Sequence, residues 1–85
     1  MNFGQAIEAL KNGEKVPRKG WNGKGMFLFL AENLGFETKA DVEAFQKSGM
    51  NVCNSICMLT AQCEIVVGWL ASQTDMLAED WMIVE

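Results

Sequence analysis

Histidine is absent from this chain, and proline occurs once, at Pro17. Without histidine the chain lacks the commonest acid–base group at neutral pH and the commonest zinc ligand, so a histidine acid–base pair cannot be assembled. Cys53, Cys57 and Cys63 are spaced C-x3-C-x5-C. Three thiols with no fourth ligand do not make a structural zinc centre, and no metal or other cofactor is expected. The same thiols lack a basic neighbour to lower their pKa, which argues against a cysteine nucleophile. The N-terminus has no basic stretch followed by an apolar run, and Met26 to Ala31 is far too short to span a bilayer. Together these features point to a reducing cytoplasm with free and mostly buried thiols.

Basic residues are also scarce, seven against eleven acidic ones, for a net charge of −4. A polymeric nucleic acid is therefore a poor partner, because nonspecific affinity for it comes from many Lys and Arg contacts with phosphate. The charge is unevenly placed. Residues 1 to 24 hold five of the seven basic residues and only Glu8 and Glu14 of the acidic ones, a local +3 that leaves −7 for the remainder. Lys15, Arg18, Lys19 and Lys24 can be a solvated face or can hold a small phosphorylated ligand.

The chain has 85 residues, no repeat, no low-complexity tract and no Pro- or Ser-rich linker, so residues 1–85 read as one domain. Small domains bury a modest share of their surface. Here 49% of residues are hydrophobic and six are methionine, more than a small core needs, and an oligomer is expected.

Periodicity sets the fold class. Asn2 can cap a first helix with Phe3, Ala6, Ile7 and Leu10 on one face and Gly13 at its end. Glu14 to Arg18 reads as a short strand in which Pro17 suggests an edge or a bulge. Met26 to Leu30 is a continuous apolar strand, as expected for one covered on both faces. Thr38 to Asp41 resembles a capping box leading into a helix over Asp41 to Lys47, stopped by Gly49. Ile56 to Thr60 and Glu64 to Val67 read as two strands joined by a tight turn, and Trp81 to Val84 as a last one. The sum is an α+β domain, a small antiparallel sheet of about four to five strands with two to three short helices.

Two segments stand apart. Gly20-Trp21-Asn22-Gly23-Lys24-Gly25 brackets an indole, an amide and an ammonium with glycines. It reads either as a hairpin turn with a solvent-facing indole or as a site in which Trp21 stacks on a base while Asn22, Lys24 and backbone N–H groups such as that of Gly23 make polar contacts. In the second segment, Trp69 to Trp81, a polar run of Ser72, Gln73, Thr74 and Asp75 precedes a short acidic helix. Ser72 or Thr74 can cap that helix, or the run can hydrogen-bond a polar ligand.

The opening MNFGQAIEALKNGEKVPRKGWNGKGMFLFL and the closing GWLASQTDMLAEDWMIV closely resemble the Thoeris anti-defence two family of small phage proteins. The resemblance covers Met1 to about Leu30 and Gly68 to about Val84. The middle departs from it, reading SICMLTA at Ser55 to Ala61 where many members carry a histidine-containing hairpin. The resemblance implies a sponge that binds cyclic ADP-ribose isomers made in bacterial Thoeris defence without cleaving them, with cyclic dinucleotides as additional ligands of some members. It also implies a homotetramer with pockets between protomers, and no membrane partner. Trp21, Asn22, Gly23, Lys24, Ser72, Gln73, Thr74 and Asp75 are then the expected ligand-binding residues, with no catalytic residue among them. A protein–protein adaptor acting through exposed aromatic surface stays open as the alternative, and a nucleotide-cleaving enzyme is the remoter one.

Overall fold

A computed structural model describes residues 1–21, 25–32 and 53–84. The first helix, α1 (Phe3–Lys11), starts where the sequence places it. Asn2 Oδ1 accepts from Gln5 N at 2.8 Å, and Gln5 Oε1 accepts from Asn2 N at 2.9 Å, a reciprocal capping box that satisfies two helix-end donors. At the other end Gly13 adopts a φ of 85°, where a side chain would be strained, and its N–H returns to Leu10 O. The apolar stripe of α1 buries Ala6, Ala9 and Leu10 against Val16, Leu28 and Trp81. Burying each of Leu10, Val16 and Leu28 is worth about 1.5–3 kcal/mol, and this small cluster anchors the fold.

Beneath the helix lies an antiparallel sheet of β1 (Phe27–Ala31), β2 (Ser55–Leu59) and β3 (Ile65–Val67), in the order β1-β2-β3. Phe27 faces Leu59 and Ala31 faces Ser55; Cys57 faces Val67 and Leu59 faces Ile65. The hairpin between β2 and β3 closes where Thr60 N donates to Glu64 O and Cys63 N donates to Thr60 O. Thr60 Oγ1 also accepts from Glu64 N, at 3.1 Å.

The α+β class is as expected, but the strand count is lower: the described residues hold three strands rather than four or five. Residues 14–18 and 81–84 do lie beside the sheet in extended form, joined only by isolated bridges from Val16 to Leu28, Lys15 to Val84 and Arg18 to Trp81. Pro17 gives the physical reason. Its carbonyl accepts from Met82 N at 3.0 Å, but it has no N–H to return the bond, so the ladder is cut between the two outer bridges. Pro17 thus interrupts a segment that is flanked on both sides rather than lying at an edge.

Other expectations change in detail. Strand β1 begins one residue later than its apolar run, and it buries only Leu28 and Ala31 fully. The thiols are not mostly buried. Cys57 faces the core, whereas Cys53 and Cys63 are exposed because they lie just ahead of β2 and in the β2–β3 turn. Strand β3 is exposed along its length, Ile65 by 62%. The helix expected over Asp41 to Lys47, with its capping box, lies outside the described residues. No helix among the described residues is long and apolar enough to cross a membrane.

Candidate functional site

The polar run after Trp69 folds as a helix start. Ser72 is the N-cap of α2 (Gln73–Leu77), and Asp75 is its third helical residue. Ser72 Oγ accepts from Asp75 N at 3.1 Å, while Asp75 Oδ2 accepts from Ser72 N at 3.1 Å and from Ser72 Oγ at 2.8 Å. Of the two sequence candidates for the cap, Ser72 fills the role and Thr74 does not. Gln73 and Thr74 point to solvent from the first turn.

The second Asp75 oxygen looks across the molecule. Arg18 Nη1 donates to Asp75 Oδ1 at 2.8 Å, and Arg18 Nε donates to Asp80 Oδ1 at 2.8 Å. The Arg18–Asp75 contact is the more shielded, with side chains 16% and 15% exposed, whereas Asp80 is 32% exposed. Asp80 Oδ2 then accepts from Gly20 N at 2.8 Å, and Lys19 N donates to Asp80 O. The turn from Arg18 to Trp21 closes with Trp21 N donating to Arg18 O at 3.2 Å. A Cβ at position 20 would lie 2.9 Å from Asp80 Oδ2, so any larger residue there must displace the carboxylate or the turn.

Ionisation follows from these contacts. Burial by itself would raise the Asp75 carboxyl pKa; hydrogen bonds from the Ser72 hydroxyl, the Arg18 guanidinium and the Ser72 backbone outweigh it, with the smallest share from Trp21, and hold the pKa below its ordinary value. The Asp80 pKa is also lowered, chiefly by the Arg18 hydrogen bond and, against some desolvation, by the Gly20 N–H. Arg18 is raised in turn by Asp80 and then Asp75. All three groups are charged at neutral pH.

Three indoles fill the space beside this network. The Trp21 and Trp81 rings are 5.5 Å apart, Trp21 and Trp69 6.3 Å, and Trp69 and Trp81 6.2 Å, all edge to face. Trp81 is the buried member, and its Nε1 donates to Asp75 O at 3.0 Å. Trp21 and Trp69 are half-buried and keep accessible surface. Gly68, with a φ of 81°, redirects the chain after β3, and Trp69 N donates to Ile56 O at 2.8 Å. These bends bring Trp69 to Trp21.

The fold therefore joins Trp21 at the start of one segment to Ser72 and Asp75 in the other. Asn22, Gly23 and Lys24 lie outside the described residues. Arg18 and Asp80, which make the junction, were not singled out as a pair from sequence; the one available signal was a basic residue just before the glycine-rich segment and an unexplained second aspartate near the chain's end. Of the other basic residues, Lys15 sits with its Nζ 5.3 Å from the Phe27 ring centre, and Lys19 is exposed. Among the described residues no cluster of His, Cys, Asp or Glu is arranged to hold a metal ion. An open groove of about 510 Å³ along α1, lined by residues including Asn2, Gln5, Glu8 and Ile83, shares no residue with the Arg18 network.

Comparison with known proteins gives matches that run over almost the whole chain. A family model described as "Thoeris anti-defense 2-like domain" matches residues 1–84. The chain is also similar to the protein named Thoeris anti-defense 2 of Bacillus phage SP01, 40% identical over 84 residues that cover 99% of this chain and 94% of that protein.

Proposed function

The chain belongs to the Thoeris anti-defense 2-like family, and from that footing we propose that it captures cyclic ADP-ribose isomers, the nucleotide signals of Thoeris immunity, and holds them intact in the cytoplasm of an infected bacterium. A phage anti-defence role against Thoeris is what family membership supports. The finer reading, capture without cleavage, draws on the site. Its carrying observation is the Arg18 fork, which sets the Trp21 turn and the Ser72–Asp75 turn side by side although they are far apart in sequence.

In this reading Trp21 offers the accessible part of its indole to a base, with Trp69 beside it and Trp81 fixed underneath. Ser72, Gln73 and Thr74 supply hydroxyl and amide groups at an exposed helix start, and Asn22, Gly23 and Lys24 are assigned the remaining polar and phosphate contacts. Asp75 contributes mainly by fixing this geometry, since both of its oxygens already accept bonds within the protein. Capture rather than catalysis suits the electrostatics: Asp75 and Asp80 are held ionised against Arg18, whereas a general acid needs a carboxyl poised to carry a proton near neutral pH. Sequestration needs only an affinity that exceeds that of the host sensor.

The proposal includes a homotetramer with ligand pockets between protomers. Leu70 and Leu77, 90% and 81% exposed, flank the Ser72 turn, and a second copy covering them would complete a wall beside it. Cyclic dinucleotides are the second ligand class to test. The experiment is incubation with a panel of cyclic ADP-ribose isomers and cyclic dinucleotides, removal of unbound material, heat denaturation, and chromatography of what is released.

A further inference from the structure

We propose that Arg18 is the positioning residue of the ligand site, a planar fork that locks the Gly20–Trp21 turn and the Ser72–Asp75 turn into one geometry before ligand arrives. Its functional consequence rests on the capture reading above.

The geometry separates positioning from direct contact. Arg18 reaches Asp80 through Nε and Asp75 through Nη1, both at 2.8 Å, across sequence separations of 62 and 57 residues. Each carboxylate passes the constraint on through its second oxygen, Asp80 to the Gly20 N–H and Asp75 to the Ser72 N–H and hydroxyl. One guanidinium thereby sets two turns. The three side chains sum to a net −1 charge, so the positive charge of Arg18 is spent inside the protein, and a phosphate brought to it would meet two carboxylates. The nearby Trp81 ring, 5.9 Å from Arg18 Cζ, further fixes the plane of the fork. A lysine would keep the charge but present one ammonium in place of the fork, and it could not hold both carboxylates along the same two directions. Without the fork the ligand would have to order both turns as it binds, at a cost in affinity.

The test compares the full-length protein with Arg18→Lys. Titration with cyclic ADP-ribose isomers gives affinity, and fluorine NMR of ligand-free 5-fluorotryptophan protein, with Trp21 assigned through Trp21→Phe, reports the turn itself. The expected result is an affinity loss of at least tenfold together with a shifted or broadened Trp21 resonance, in a protein whose circular dichroism matches the parent. Equal affinity overturns the inference, because the fork would then be a stability element only. An affinity loss with an unchanged Trp21 resonance also overturns it, in favour of direct ligand contact by Arg18. Should Arg18→Lys fail to fold, Asp80→Asn, which weakens the Gly20 arm and leaves the Asp75 arm, is read by the same two signals with the same outcomes. A parent protein that retains no nucleotide defeats the capture reading alone, and the ligand-free spectra still decide whether Arg18 positions Trp21.

Discussion

Trp21 and Asp75 show how one residue can serve two purposes that separate only on measurement. Trp21 contacts both neighbouring indoles yet keeps accessible surface. Trp21→Ala is expected to cost about 1–3 kcal/mol in nucleotide affinity, the range for losing a stacking aromatic. It should also lower the melting temperature, because the edge-to-face contacts add about 0.5–1.5 kcal/mol each beyond area burial. Calorimetric titration beside a thermal melt separates the two, and unchanged affinity in a folded variant would move the stacking role elsewhere. At Asp75 the sequence suggests either a cap or a ligand carboxylate; the structure adds Arg18 as a third demand. Asp75→Asn keeps one acceptor oxygen but turns an NH2 group toward a donor, so the ligand-free protein should lose about 1.5–3 kcal/mol of stability, as for hydrogen bonds to charged groups.

The same carboxylates fix the acid response. Asp75 and Asp80 have pKa values lowered on folding, so their stabilisation is fully present above the unfolded-state value of about 4. It is lost as pH falls from there through the lower folded-state values. The melting temperature should therefore contain no step from these two groups between neutrality and about pH 5, then decline more steeply in the parent than in Asp75→Asn. A scan of melting temperature against pH checks this, and a parallel decline in the two proteins would contradict the assignment to Asp75.

At the scale of elements, the parts governed by neighbours in sequence were legible. The α1 cap at Asn2, the stop at Gly13, the β2–β3 hairpin and the cap at Ser72 each depend on residues within a few positions. The ladder around Pro17 was half legible: the extended segments are present, but the missing N–H reduces them to bridges. The junction of the site was not legible, because Arg18 finds Asp75 and Asp80 through tertiary folding, and no local pattern carries that pairing. Gly20 was legible as a turn glycine, but the structure gives the specific cause, the Asp80 oxygen where its Cβ would stand. Gly20→Ala should displace Asp80 or the turn and weaken nucleotide binding about tenfold or more while α1 stays formed, as read by titration and circular dichroism. Binding equal to the parent would show that the turn tolerates the shift.

At the scale of the whole molecule, the described core is small, and much apolar surface stays uncovered. Ile65, Val66, Val67, Leu70 and Leu77 are all exposed among the described residues. Patches of this kind mark interaction surfaces. On the homotetramer proposed above, light scattering coupled to size exclusion should return about four times the chain mass of 9.4 kDa, and a mass of one chain at micromolar concentration would remove the inter-protomer pocket.

The central claim is capture without chemistry, and the most direct measurement is the identity of what the protein gives up after heat denaturation. Purified protein is mixed with cyclic ADP-ribose isomers, freed of unbound nucleotide, denatured and analysed by chromatography with mass detection. The account predicts release of the intact cyclic nucleotide in stoichiometric amount, with no product accumulating in the unbound fraction over time. A linear or otherwise altered nucleotide would make the protein an enzyme, and no retained nucleotide of any kind would make it a protein-binding adaptor; either result would contradict the account.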